Sequence, residues 1–441
     1  MPPKQSEPGQ PLRPEIARVA IMPWGNLVED FLVPLGVSLE DFAARMSGGW
    51  LFGYVAALRS AGIDALVVCV SARVDRTTRI VNPRTGTATI VLPASAAYRR
   101  LRRFPGDPES VTAHGGLRRA AQSLVPYLAT PPGPFVEALK SNGVTHLICQ
   151  EYEYERFDVV VRLAQRIGVI TCASFQGGTP KAGLVRTRIR AASLSRADGL
   201  IVASSPEIAR VRECYHLDPE RIVQIPNPLD IHEWRAQPRV AARAALGIPE
   251  QAVVVVSHGR IDYSRKGLDI LLDAWRRLVV QWPDRDLRLH LIGSGQDDAI
   301  LQADIDANPV RGLRWVRRYS QDREEMRREL SAANLYVMAS RHEGFPVAPL
   351  EAMACCLPAV LSDAPGAREI LGTERGRCGR IVPIANAGAL AAALSELIAD
   401  PTTLAAMGAA ARGRIEAEFS IERVGAALAA FLRGRTGSTK T

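Results

Sequence analysis

Short hydrophobic runs recur along this chain, separated by amphipathic stretches of helical period. From Ala17 the order is an apolar run (ARVAIMP), a long loop, a helical stretch from about Gly48 (GGWLFGYVAALRSAG) and a second apolar run (DALVVCVS). Residues 79–92, RIVNPRTGTATIVL, alternate around a Pro/Gly turn and predict a hairpin insertion. The alternation resumes with THLICQ, DVVVRLAQRIG, VITCASF, an Arg-rich helical segment and GLIVAS. IPNPLD, at 225–230, is a turn-rich break, after which a second series starts at VVVVSHG and runs through GLDILLDAWRRLVVQW, LRLHLIG, LRWV, REEMRRELSAA, LYVMAS, PAVLS and GRIVPI. Strands alternating with helices of this length predict parallel, doubly wound sheets. The expected architecture is therefore α/β, two Rossmann-like domains facing across a cleft that holds the ligand. The boundaries are a disordered tail at 1–15, a first domain at 16–229, a second at 230–415, and a C-terminal segment at 416–441. The last helix, from about Ile421, lies beyond the second sheet and is placed to pack back on the first domain.

Composition narrows the class. At 441 residues the chain exceeds what one core supports, and 47% apolar with 23% charged residues is ordinary for a soluble protein. No run approaches the roughly 18 apolar residues that span a bilayer. The seven cysteines include no CxxC pair, so they read as small hydrophobes in a reducing compartment, with the cytoplasm as the expected location. The net charge is +9 and unevenly spread, with arginines clustered at Arg99, Arg100, Arg102 and Arg103, and again at Arg186, Arg188, Arg190 and Arg196. Two readings stand: solvated helix faces, or attraction to an anionic acceptor or an anionic membrane surface. Nucleic acid is not expected, because the basic clusters lack interleaved aromatics.

The chemistry concentrates in RHEGFPVAPLEAM, at 341–353. Glu343 falls in a loop at the carboxyl end of a predicted strand, followed by Gly344, Phe345 and Val347, and Glu351 falls in the first turns of the next helix. Ligands bind at such strand ends, and free amides at a helix start favour anions. Two acids beside an anion site suit a ligand that also carries hydroxyls, as a nucleotide sugar does. SHGRIDYSRKG, at 257–267, adds Gly259 for close backbone approach, Arg260 as a guanidinium fork and Lys266 as a point charge. Gly293 and Gly295 mark another strand-to-helix turn, where close packing explains the glycines equally well. Gly366 and Glu369 lie in a loop open to a structural or a binding role.

Together these residues resemble the family-4 retaining glycosyltransferases of GT-B fold, the glycosyl transferases group 1. The resemblance rests on EGFPVAPLE, on Gly259 to Gly267, on Gly293 and on PGAREI, with IPNPLD similar to the family's domain-linking segment and Gly48-Gly49 to its glycine-rich loop. It implies transfer of a sugar from a nucleoside-diphosphate donor with the anomeric configuration kept. On that resemblance Arg260 and Lys266 stabilise the leaving diphosphate, Glu343 holds the sugar hydroxyls and Glu351 the ribose, with no metal and no further cofactor. The implied partners are a nucleotide sugar and a glycan, lipid-linked or small-molecule acceptor; the arginine clusters, not the resemblance, add the expectation of peripheral contact at an anionic inner membrane face.

The chain departs from that pattern in places. Phe175-Gln176-Gly177-Gly178 stands where the family often has a histidine, and glutamine can hydrogen-bond a sugar but cannot titrate. QEYEYE, at 150–155, is either a substrate contact or a plain acidic loop. Cys356 replaces the glycine favoured at a helix end, where a positive φ costs about 1 kcal/mol. Asp304 and Asp306 have DxD spacing but read as a solvated helix face. His146 and His290 lie in apolar strands as core residues, whereas His258 and His342 flank the expected donor site. A catalytically altered GT-B binding protein, or a sugar-nucleotide epimerase or hydrolase, is the alternative function. The base, sugar, acceptor and linkage are not readable.

Overall fold

The computed structural model describes residues 16–435 apart from 26, 34–35, 47, 103–123, 179–182, 319–321 and 373–376. The expected tail at 1–15, Arg103 and the chain end after 435 lie outside the described residues.

The first sheet contains β1 (Val19–Met22), β2 (Ala65–Ser71), β3 (Thr78–Val81), β4 (Ala88–Pro93), β5 (His146–Gln150), β6 (Ile170–Ser174), β7 (Gly199–Val202) and β8 (Ile222–Gln224), in the order β3-β4-β2-β1-β5-β6-β7-β8. The β3–β4 pair is antiparallel, the hairpin read from the sequence, and β4 then joins β2 in parallel. The second sheet contains β9 (Val253–His258), β10 (Leu287–Ile292), β11 (Leu313–Val316), β12 (Leu335–Met338), β13 (Ala359–Ser362) and β14 (Gly379–Val382), in the order β11-β10-β9-β12-β13-β14. Its pairings are parallel. Central strands such as VAIM and ALVVCVS are buried at every position, because helices cover both faces, whereas edge strand β3 alternates between half-buried and exposed. This is the expected pair of doubly wound Rossmann-like domains.

Strand order reverses between β1 and β5 in the first sheet and between β9 and β12 in the second. Loops leaving the carboxyl ends of strands on either side of a reversal splay apart and open a crevice. The segments after β1, β5, β9 and β12 hold Gly48-Gly49, Glu151, Gly259-Arg260 and Glu343, so topology alone brings these residues to the cleft side of each domain.

The pattern reading passed over several short elements. The "long loop" after β1 contains a π-helical turn, Val28–Leu32, and a helix, Leu39–Arg45, whose start is capped by the Ser38 hydroxyl accepting from the Asp41 amide. Between β7 and β9 lie helices Ser205–Tyr215 and Arg239–Leu246 besides β8. The helix Ile421–Arg433 packs along the Gly49–Ser60 helix of the first domain, with Gly425 against the Ala57 carbonyl where no side chain fits. Its approach is pinned beside the linker: the Leu229 amide donates to the Phe419 carbonyl at 2.7 Å, and the Ile421 amide to the Leu229 carbonyl at 3.2 Å. Val424, Leu428, Phe431 and Leu432 of this helix complete the core under β1 and β2. Among the described residues no single helix is long and apolar enough to cross a membrane.

Candidate active site

The two domains enclose a cavity of about 870 Å³. From the first domain its wall includes Gly48, Gly49, Trp50 and Phe42; from the second it includes His258, Gly259, Arg260, Gly293, Val347 and Glu351. Gly48 and Gly49 have φ of 66° and 61°, and the Gly49–Ser60 helix that they start has no side-chain cap. Its first amides are therefore available to an anion. A side chain at Gly48 would meet the Arg323 guanidinium at 3.0 Å, whereas at Gly49 it would meet nothing within 4 Å. The first glycine thus permits contact between the domains, and the second leaves the helix start open.

On the opposite wall, β9 ends in His258, whose Nε2 lies 2.8 Å from the Glu351 carboxylate. The other Glu351 oxygen is 3.4 Å from Arg323. Arg323 also lies 5.0 Å over the Trp234 ring and 3.7 Å from Glu233. This arginine, in the first turn of the REEMRRELSAA helix, bridges the Gly48 loop to Glu351, a role that no local pattern announces. Arg260 is on the cavity wall, with Asp262 3.7 Å away. Gly293 and Gly295 serve close packing: a side chain at either would collide with the backbone carbonyl of Gly259 or Ile261. Gly293 also borders the cavity, whereas Gly295 does not.

Lys266, Glu343, Gly344 and Phe345 lie off the cavity wall. Glu343 is buried and accepts from Lys266 Nζ at 2.6 Å and from the Ser340 hydroxyl at 2.6 Å. Burial opposes its ionisation, but Lys266 and the Ser340 hydroxyl outweigh that and hold the carboxyl below its ordinary range. Lys266, about a quarter exposed, carries a charge already met by Glu343. Gly344 meets the Gly177 backbone of the first domain so closely that neither could carry a side chain. Phe345 is core, 6.0 Å from Phe419, and its carbonyl accepts from Asn227 at 2.9 Å.

Other expected residues are put to structural use. Glu369 accepts from the Ser205 amide at 2.7 Å and ties the second domain to the start of a first-domain helix. The acids of QEYEYE face inward: Glu153 meets Arg210 at 2.5 Å and the Tyr215 hydroxyl at 2.7 Å, and Tyr152 donates to Glu207. Asp304 is not a free solvated acid, since its helix turns it toward the Tyr263 hydroxyl at 2.8 Å and Arg276 at 3.2 Å. His146 and His290 are buried core residues; burial lowers His146 to about 4. His342 is half-buried, and its carbonyl accepts from Arg265 at 3.3 Å. Of the two arginine clusters, Arg190 is buried on Asp158 at 2.9 Å, Arg102 lies over Tyr98, and Arg99 pairs with Asp75 at 2.9 Å.

The family model described as "Glycosyl transferases group 1" matches residues 252–400. Among curated proteins, a D-inositol 3-phosphate glycosyltransferase of Kineococcus radiotolerans is 32% identical over 234 residues, 50% of this chain and 53% of that one. A GDP-mannose-dependent monoacylated alpha-(1-6)-phosphatidylinositol monomannoside mannosyltransferase of Corynebacterium glutamicum is 29% identical over 219 residues, 47% of this chain and 55% of that one. The chain thus spans about half the length of these curated relatives. Among solved structures, a sucrose-phosphate synthase from Thermosynechococcus elongatus superposes with a TM-score of 0.71 at 21% identity, covering 95% of this chain and 98% of that one. Anabaena HepE in complex with UDP superposes with a TM-score of 0.68 at 15% identity, covering 95% of this chain and 100% of that one. The fold is GT-B, and residues 252–400 of this chain match the glycosyl transferases group 1.

Proposed function

We propose that this chain is a retaining glycosyltransferase that moves a sugar from a nucleoside-diphosphate sugar to a glycan, lipid-linked or small-molecule acceptor. The observation that carries the reading is the cavity shared between the domains, with Arg260, Glu351 and the uncapped Gly49 helix start on its walls. Amides and a guanidinium suit a diphosphate, and a carboxylate suits ribose hydroxyls. Lys266 and Glu343 form the adjacent pair: the acid is the group for the donor sugar's hydroxyls, and the ammonium shares the charge that grows on the departing diphosphate. On this reading no metal is required, because cations and helix amides do that work. The matched relatives are named for inositol phosphate and phosphatidylinositol mannoside chemistry, which favours an acceptor bearing a polyol or a phosphate. The proposed location is cytoplasmic, with exposed Arg100, Arg188 and Arg196 as the remaining basic contacts for an anionic inner membrane face.

The test is a thermal-shift panel with UDP, GDP, ADP and dTDP without metal, followed by donor and acceptor screens with anomeric analysis by NMR. Ligand at 100 times its dissociation constant adds about 2.7 kcal/mol. A shift with one nucleotide, then acceptor-dependent transfer with the configuration kept, is expected. Binding without turnover favours the altered binding protein, donor turnover without acceptor favours the epimerase or hydrolase, and no shift with any nucleotide overturns the proposal.

A further inference from the structure

The loop Gln176–Gly178 leaves the carboxyl end of β6 and reaches across the cleft to the Glu343 loop. Gly177 has φ of 97°, and a side chain on it would lie 2.7 Å from the Gly344 amide nitrogen. Its carbonyl accepts from Arg265 of the second domain at 3.5 Å. The contact is therefore backbone against backbone, beside the Lys266–Glu343 pair, and it depends on the loop holding one shape.

That shape has an identifiable cause. Glu151, the first residue after β5, is buried and has a left-handed backbone, φ 68°. Its carboxylate accepts from three backbone amides: Gly178 at 2.5 Å, Gln176 at 3.1 Å and Glu153 at 3.0 Å. The carboxylate occupies the space where a side chain at Gly178 would go. A carboxylate buried among backbone donors is the strong kind of hydrogen-bond acceptor, and here Oε2 takes both loop amides while Oε1 takes the Glu153 amide. Burial nevertheless pushes this carboxyl up to about 7, against the pull of those three amides. A buried acid in a left-handed backbone is costly unless its contacts are used.

We propose that Glu151 is a positioning residue for sugar transfer: its carboxylate brackets the Gln176–Gly178 loop so that Gly177 seats against Gly344 and closes the cleft over the donor sugar. The inference rests on the glycosyltransferase reading above for its catalytic consequence, while the closing contact itself is read from the geometry. Glu151 touches no reacting atom. It acts through the loop, and a misplacement near 1 Å at reacting groups costs on the order of 100-fold in rate.

The test uses the full chain with Glu151→Gln and Gly177→Ala. Glutamine can accept from both loop amides at the Oε2 position only by turning its own NH2 onto the Glu153 amide at the Oε1 position, and alanine at 177 blocks the Gly344 approach without touching the carboxylate. Both variants are expected to bind the nucleoside diphosphate identified for the wild type within about 3-fold, since the cavity wall is unaltered, and to lose on the order of 100-fold in kcat. Small-angle scattering with nucleotide bound is expected to show a larger radius of gyration for both than for the wild type. Wild-type kcat, or an unchanged radius of gyration, in Gly177→Ala overturns the inference even where Glu151→Gln fails to fold. A wild type that binds nucleotide but transfers no sugar instead overturns the glycosyltransferase reading, with the scattering result still deciding the closing contact.

Discussion

Removing Glu343 tests the Lys266–Glu343 pair in two separable ways. At 2.6 Å an ion pair in an effective dielectric near 20 has a gross attraction of roughly 6 kcal/mol. Most of that is offset by taking the carboxylate out of water. Breaking a buried pair from one side costs about 3–5 kcal/mol, because the remaining charge is left uncompensated. Lys266 is 26% exposed and can rehydrate, so we place Glu343→Ala at about 2–3 kcal/mol. For a domain of 150–250 residues each kcal/mol moves Tm by about 2–4 °C, giving a loss of roughly 4–12 °C in the second domain's transition. Glu343→Gln keeps an acceptor for Lys266 and the Ser340 hydroxyl, loses only the charge, and is expected to cost about half as much. Transfer should separate the two effects: both variants are expected to fall more than about 100-fold in kcat/KM if the carboxylate meets the donor sugar. Calorimetry and a coupled nucleotide-release assay read the two quantities. A Tm within 1 °C of wild type in Glu343→Ala would refute the pairing energetics. Near-normal transfer by a folded Glu343→Gln would refute the sugar contact. The Glu343 carboxyl is held low, so its share of stability is present above the ordinary carboxylate pKa and is lost as pH falls through its depressed value.

Two further outcomes follow from single positions. Cys356 has φ of 61°, so Cys356→Gly should relieve left-handed strain at the helix end and stabilise by roughly 0.5–1 kcal/mol; an unchanged or lower midpoint in urea would contradict this. His146 is buried and held near 4 against an ordinary 6.5, so the unfolded chain binds its proton first on acidification. Its contribution is present above pH 6.5 and is lost as pH falls toward 4, on the order of 3 kcal/mol in all. His146→Leu should flatten that limb in urea titrations at several pH values, and an identical pH dependence in the variant would sink the assignment.

Much of the site was legible because its signals are local. VVVVSHG and LYVMAS each state a strand and its end, and EGFPVAPLE states the loop and helix start that carry Glu343 and Glu351. The positive φ of Cys356 was readable from its place after a short helix, since the chain must turn there whatever surrounds it. Arg323 carried no such signal: it is one arginine in an Arg-rich amphipathic helix. Only the packing of that helix under the Gly48 loop makes it a bridge to Glu351. Glu151 was read within an acidic run whose role stood open, because a carboxylate's partners here are backbone amides distant in sequence. Glu369 was equally ambiguous until the Ser205 amide was placed beside it.

Hydrophobic patterning along the chain sets the alternation of buried strands and covering helices, hence two parallel sheets and the strand ends where open α/β sheets bind ligands. The sequence also determined which residue types stand at those ends. Those properties depend on hydrophobic period and chain direction, which act over a few residues. Which acids face the cavity and which are consumed in holding the domains was decided only by the tertiary structure. The pairing of Glu343 with Lys266 arises from a separation of 77 positions and that of Glu351 with His258 from one of 93. The energy of a charge is set by whichever groups lie within a few ångströms, and those neighbours are chosen by the packing of whole domains.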